Sequence, residues 1–371
     1  MSAATDLHAG FAVELLRAVS STAGDNVVVS PWSVSSALAV LAPGCDGAAR
    51  DEIERALAPC ADQDDLLAVL AADAARVAGE RAAGGDSVLT VANTLWFDDG
   101  RTPAPAFAPQ LDRWPGAAQL SAPIASDPEA ARAAINADVA STTRKLIPEI
   151  LPAGSLTSDD RAVIVNAVYL LAAWIEPFVA AHTADEPFHS PSRTRDVPMM
   201  RGSMELGYAQ DGWEYLELPL SLGLRAEILL PAAGIGSHVG LIDASVLSEL
   251  RRHARAHRVE LHLPRFRAEW TTGLIEPLRA LGVSRIFDPG ALALVGVVVE
   301  EPLHVAVACH AAVLRVDETG IEGAAATALG ARAVAYRRLP AVEVQIDRPF
   351  FLLVTHRETG VVVFAAHVTE P

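Results

Sequence analysis

Apolar residues recur at helical spacing through the first 150 positions and then give way to period-two runs, and the predicted elements follow that switch. In MSAATDLHAGFAVELLRAVS, Phe11, Leu15 and Leu16 share one helical face. Three further helical stretches follow: SPWSVSSALAVLAPG, started by Ser30-Pro31 and stopped by Pro43-Gly44, then DEIERALAP, then DDLLAVLAADAARVAGE. The spacing predicts a strand over Ser87 to Phe97, a helix over Asp127 to Thr142, and a long, largely buried strand over residues 161–174, RAVIVNAVYLLAAW. From Pro198 onward strands dominate: EYLELPL, RAEILLP, VELHLPRF, LHVAVACHAAVLRV, VEVQIDRPFFLLVTH and GVVVFAAHV, the last two joined by a turn at Glu358-Thr359-Gly360. Helices first and strands later argue for an α+β fold rather than a doubly wound sheet.

One stretch stands apart. From Val313 to Gly330 the chain reads VLRVDETGIEGAAATALG, an extended pattern that runs through an acidic turn into small residues. Taken as a strand, Ile321, Gly323, Ala325, Thr327, Leu329 and Ala331 face one side, all small or apolar. Glu322, Ala324, Ala326, Ala328, Gly330 and Arg332 face the other, expected to be the solvent side. On composition alone, GAAATALGARAVAY also suits a helix or an open loop.

Composition narrows the function classes. The hydrophobic fraction of 51% is ample for a core, and no apolar run reaches the length of a membrane span. A net charge of −17 disfavours nucleic acid and anionic membrane as partners. Lys145 is the only lysine, so nearly all positive charge is arginine. The N-terminus lacks a basic start and an uninterrupted apolar run, so no signal peptide is expected. Cys45, Cys60 and Cys309 are odd in number and without metal-like spacing, which implies no disulfide framework. Gly85-Asp86-Ser87 has the order of a serine-protease nucleophile segment, but Val88 stands where a glycine would build the oxyanion hole. His253 and His257 are spaced like two zinc ligands on a helix, yet Arg255 and two alanines lie between them where a metalloprotease needs its glutamate. Arg251, Arg252, Arg255 and Arg258 offer a solvated basic face, or a weak polyanion site. No phosphate-cradling glycine loop, metal site or cofactor site is read.

An ordered series of motifs resembles the serpin family, in the manner of bacterial-type members without a signal peptide. NVVVSPWSVSSALAVLAPG at 26–44 resembles N-I-x-x-S-P-x-S-I-x-x-A-L-x-x-x-x-x-G, VANTLWF at 91–97 resembles A-N-x-L-F, and VNAVYLLAAWIEPF at 165–178 resembles V-N-A-x-Y-F-x-G-x-W-x-x-x-F. ELPL, LPRF, LRALGVSRIF and DRPFFLLVTHRETGVVVFAAHV complete the series in order. Glu318, Thr319, Gly320, Ile321, Glu322, Gly323, Ala324, Ala325, Ala326 and Thr327 resemble the family hinge Glu-Glu-Gly-Thr-Glu-Ala-Ala-Ala-Ala-Thr, departing mainly at Ile321 and Gly323. Other departures are Arg144, where the family usually has glycine, and Asp138, where tryptophan is common.

The resemblance implies a single unit over 1–371, helix-rich to about 160 and sheet-rich beyond. It implies three β-sheets surrounded by about eight or nine helices, with an exposed reactive loop over about 318–340. The implied function is that of a monomeric inhibitor of serine proteases, not an enzyme, which is cut and then inserts its loop between residues 161–174 and roughly 304–316. Ser30, Ser33, Ser36, Asn166 and His310 would form the region where the sheet opens. Glu318 and Arg265 would pair above it, with Trp174 stacked nearby. Counting fourteen residues beyond Gly320 places the scissile bond at Val334-Ala335, which suits elastase-like or subtilisin-like proteases. Arg332, Arg337 or Arg338 would suit trypsin-like proteases and Tyr336 chymotrypsin-like ones. The alternative is a non-inhibitory relative that serves as substrate, chaperone or binding protein. Cytoplasmic residence is expected, with the extracellular space, where many family members act, as the alternative.

Overall fold

The computed structural model describes residues 3–20, 26–57, 66–79, 88–232, 240, 242–321 and 341–371. Cys60, Gly85, Asp86 and Ser87 lie outside them. So do hinge residues Glu322, Gly323, Ala324, Ala325, Ala326 and Thr327, and the scissile candidates Arg332, Val334, Ala335, Tyr336, Arg337 and Arg338.

Helices open the chain: α1 (Ala3–Ser20), α2 (Pro31–Leu41), α3 (Gly47–Leu57) and α4 (Leu66–Gly79), with β1 (Val27–Val29) after the first. Next come β2 (Val88–Asp98), α5 (Ala108–Leu111), β3 (Ala117–Ala122), α6 (Pro128–Thr142) and β4 (Ala162–Ala173). Strands then prevail: β5 (Ala184–His189), β6 (Thr194–Gln210), β7 (Trp213–Pro219) and β8 (Leu224–Pro231), then α7 (Ala244–His253), β9 (Arg255–Pro264), β10 (Phe266–Gly273) and α8 (Ile275–Ala280). The chain closes with β11 (Val307–Asp317), β12 (Gly320–Ile321), β13 (Ala341–Gln345), β14 (Phe350–His356) and β15 (Val362–Val368).

A six-stranded sheet, ordered β10-β11-β12-β4-β2-β3, carries the candidate site. The other strands form one nine-stranded sheet, ordered β1-β15-β14-β8-β7-β6-β9-β13 with β5 added on β6. Among the described residues hydrogen bonding thus links the strands into two sheets, the 17-residue β6 joining two of the three that are expected. It pairs with β5 over 194–199, with β9 over 199–208 and with β7 over 207–210. The short edge strands β3 and β5 were not legible, since AAQLSA and ADEPFH lack an apolar alternation.

Capping chemistry places the helices that matter. Ser30 caps α2, its hydroxyl accepting from Ser33 N at 3.3 Å ahead of Pro31 in the first turn. Every residue of α2 is buried, because it lies between β2 and β4 of the six-stranded sheet and β15 of the larger one. Asp127 caps α6 in the same way, accepting from Ala130 N at 3.0 Å. From α6, Ile135 and Val139 join Ala167, Ala311 and Val313 in one buried apolar cluster, and the helix lies against β2 and β3 of the six-stranded sheet.

The basic stretch is not one face. Because α7 ends at His253 while His257 stands on β9, the two histidines do not share a helix. Arg251 is buried on Glu227, Arg252 faces Glu249 at 3.6 Å, and Arg258 donates to Ser203 Oγ at 2.9 Å. Among the described residues no helix is long and apolar enough to cross a membrane.

Candidate functional site

Two long strands of the six-stranded sheet meet over only part of their length. β4 and β11 run parallel and pair directly from Val163↔Val307 to Val168↔Ala312. Above that point they part around β12, which is antiparallel to both: Ile321 faces Ala172 on one side and Val316 on the other. The first two residues of the glycine-alanine segment therefore already occupy the head of a gap in the sheet. Gly320 is required there. Its φ is +153°, and a Cβ would fall 2.2 Å from Ala172 O and 2.7 Å from the Cα of Ala173. Ile321 is fully buried in the main core.

The turn into this wedge is held from several directions. Asp317 Oδ1 accepts from Thr319 N at 2.9 Å and from Thr319 Oγ1 at 2.6 Å, closing a tight local turn. Trp174 donates its indole N–H to Asp317 O at 2.8 Å and its backbone N–H to Thr319 O at 3.0 Å, while Phe178 N donates to Glu318 O at 2.9 Å. The buried Glu318 carboxylate accepts from Arg265 Nη2 and, at 2.6 Å, from Thr183 Oγ1. Burial alone would raise the Glu318 carboxyl, but the bonds from Arg265 and Thr183 hold it below its usual range. Trp174 makes an edge contact with Phe178 and holds the turn through its backbone, with its ring 6.2 Å from that of Phe178.

Below the wedge, where β4 and β11 touch, a buried polar cluster bridges them. His310 and Asn166 are directly paired across the strands, with His310 Nδ1 2.5 Å from Asn166 Oδ1. Ser30 N donates to His310 Nε2 at 3.0 Å, which puts the ring proton on Nδ1, facing Asn166. Asn166 Nδ2 donates to Ser33 Oγ at 2.5 Å and also to Asn93 Oδ1. Ser33 Oγ donates to Asn93 at 3.0 Å, and Ser30 Oγ to Val363 O at 2.6 Å. One helix and four strands, β2, β4, β11 and β15, thus meet at one point. Ser36 does not join them: its hydroxyl donates to Trp32 O at 2.7 Å within α2. Asn93 and Thr183 were not singled out in the sequence. The asparagine of VANTLWF was the available signal, while Thr183 had none.

Burial lowers His310 to about 3, against a smaller opposing effect of its bond with Asn166; burial and then the charge of Arg251 lower His8 to about 4. Both lie below the unfolded value of 6.5, so each ring is neutral in the fold and the unfolded chain binds more protons. Stability is therefore full above pH 6.5 and falls as pH drops from there towards 4 for His8 and 3 for His310. We expect a loss of about 2 kcal/mol per histidine at pH 5. Urea unfolding at pH 7.5 and 5 checks this, and a His310→Gln variant with an undiminished drop would count against it. Burial pushes Cys309 up to about 11 and Cys45 up to about 12, so neither is a ready nucleophile.

Comparison with known proteins bears on the family and the fold. The family model described as serpin (serine protease inhibitor) matches residues 6–371. The chain is 30% identical over 375 residues to the leukocyte elastase inhibitor of Sus scrofa, covering 97% of each. It is 31% identical over 384 residues to serpin-Z2B of Oryza sativa subsp. japonica, covering 93% of this chain and 91% of that one. The solved structure of a thermophilic serpin, tengpin, in the native state is similar with a TM-score of 0.85 at 23% identity, covering 99% of this chain and 94% of that one.

Proposed function

The chain belongs to the serpin family, and from that premise we propose that it inhibits serine proteases as a suicide substrate whose cleaved loop becomes a strand between β4 and β11. The observation that carries this reading is β12, which fills the head of the gap in register with both neighbours. Extended six residues further, that register sets Thr327 between Asn166 and His310. Ile321 points into the main core, so Gly323, Ala325, Thr327, Leu329 and Ala331 would point inward with it.

The opposite parity has a different environment from the one expected of the sequence. Its neighbours in the middle of the gap, Val165, Ala167, Ala311 and Val313, are buried in one apolar cluster with Ile135 and Val139 of α6. Ala324, Ala326 and Ala328 are small enough to enter that cluster, and the charged Glu322 and Arg332 would fall at the two ends of the run. A strand of some fourteen residues bonded on both edges would release on the order of ten kcal/mol. It would carry an attached protease roughly 45 Å, distorting its active site before the acyl bond is hydrolysed.

Val334-Ala335 is the scissile bond of this reading, and elastase-like or subtilisin-like proteases are the targets. The pig relative's name supports the first of these. Incubation with elastase, subtilisin, chymotrypsin and trypsin, followed by denaturing gels and mass spectrometry, tests it. A complex that survives denaturation and a fragment starting at Ala335 are expected. Clean cleavage without complex would leave a substrate or binding protein on this scaffold.

The anchor of the wedge gives a further expectation. Glu318→Lys sets two cations face to face and strands Thr183, so β12 loses its hold. We expect a cost of about 1–3 kcal/mol, with Arg265 partly exposed to water, and polymers on mild heating. Size-exclusion chromatography after incubation reads the outcome; a monomer with unchanged melting would overturn it.

A further inference from the structure

Resting on the inserting-loop reading, we infer that Arg315 and Arg144 form a basic slot that receives the carboxylate of Glu322 and latches the first turn of insertion. The slot lies on the outer face of the six-stranded sheet, one residue beyond the buried Ile321. There the strand neighbours of position 322 would be Leu171 on β4 and Arg315 on β11, if the register of β12 continues on insertion.

Three features point to an acidic occupant. Arg315 stands directly across from Arg267 on β10, a like-charge pair that is unfavourable without an acid beside it. Arg267 is bonded to Glu269, whereas among the described residues the 54% exposed Arg315 reaches only the Asp317 carboxylate, at 3.9 Å. Asp317 also has one carboxylate oxygen taken by Thr319.

On the β4 side, Arg144 holds a position that favours glycine. It follows the C-cap of α6 with φ +52°, and Lys145 N closes the turn onto Ala140 O at 2.7 Å. A non-glycine residue there is strained, and its side chain lies over Tyr169 on β4, with the guanidinium carbon 5.7 Å from the ring centroid. Arg144 has no carboxylate partner among the described residues. Tyr169 is two residues from Leu171 on the same outer face, so Arg144 flanks the slot from the side opposite Arg315. Glu322, outside the described residues, is the first acid the chain supplies at this place. Inserted next to the inward Ile321, it would take the outward parity.

The test compares full-length protein with Arg144→Gly, Arg315→Gln, Glu322→Gln and the swap Arg315→Glu with Glu322→Arg. Each is melted uncut and after a single loop cut verified by mass, in about 20 mM and about 500 mM salt. Wild type is expected to gain melting temperature on cleavage. At low salt the three single variants gain a few degrees less and pass about two- to five-fold more inhibitor into the cleaved, untrapped product. The swap recovers the gain, and high salt erases the differences. Uncut Arg144→Gly should melt no lower than wild type, since glycine relieves the turn. A wild-type gain that all variants share overturns the latch and leaves insertion standing. No gain in wild type overturns the insertion reading and the latch with it.

Discussion

Thr327→Arg is expected to turn this protein from an inhibitor into a substrate: the loop is still cut, but complex that survives denaturation falls at least about tenfold. On the proposed insertion, the register of β12 would bring Thr327, six residues beyond Ile321, to the level of Asn166 and His310. Those two side chains bond to each other at 2.5 Å while β4 and β11 are paired. A strand entering between them must move them apart by one strand spacing, roughly 4.8 Å, and leaves His310 Nδ1–H and Asn166 Oδ1 buried without a partner. A threonine hydroxyl repairs the loss, accepting from His310 Nδ1 and donating to Asn166 Oδ1. Arginine cannot do so, and its charge would enter a place where both neighbours are fully buried, at a cost of several kcal/mol. Insertion would then stall after about six residues, a displacement of roughly 20 Å instead of roughly 45 Å. Deacylation would win that race. Thr327→Ser keeps both bonds and should trap like wild type. Equal amounts of complex from Thr327→Arg and wild type would refute the register.

How far the sequence could be read depended on whether neighbours are local. β4 was legible because a twelve-residue strand buried on both faces reads as one apolar run, and the caps of α2 and α6 are signalled within four residues of each start. Asn166 and His310 came from the family resemblance, and both interrupt apolar strands. Asn93 belongs to the same cluster, yet nothing in β2 alone says that it faces Asn166 across the sheet. Ser36, one turn after Ser33, was expected on the same face, but a serine inside a helix can bond its own backbone, and this one does. The outward parity of the loop shows a similar limit: alternation distinguishes two faces without saying which is wet, and Val165, Ala167, Ala311 and Val313 on the outer face are buried in one apolar cluster. Arg251 shows the limit most clearly. From its stretch it belongs to a solvated basic face, and only the packing of α7 on the larger sheet reveals that it is buried.

That burial makes Arg251→Ala the substitution with the largest expected effect on stability. Arg251 is 2% exposed and Glu227 fully buried, joined by Nε to Oε1 at 2.8 Å and Nη2 to Oε2 at 2.6 Å. Tyr215 OH donates to the same carboxylate at 2.6 Å, Thr355 Oγ1 at 2.5 Å, and Arg225 lies 2.9 Å away. Burial pushes the Glu227 carboxyl up, but the charge and bonds of Arg251, with help from Arg225 and Thr355, hold it to about 2 against an unfolded value of 4.5. Its contribution to stability is thus present above pH 4.5 and lost as pH falls towards 2. Removing Arg251 leaves a buried carboxylate with one partly exposed cation, so at pH 7 we expect a loss of about 3–5 kcal/mol. Because the orphaned carboxyl then protonates more readily, the deficit should shrink as pH drops towards 4, as the linkage requires. Replacing both partners, Arg251→Leu with Glu227→Leu, should recover much of the loss, since the penalty lies in the unpaired charge and not in the missing pair. Urea unfolding of the three proteins at pH 7 and pH 4 decides it. If Arg251→Ala unfolds within 1 kcal/mol of wild type at pH 7, by the scale for exposed pairs, the pair does not anchor α7 to the sheet.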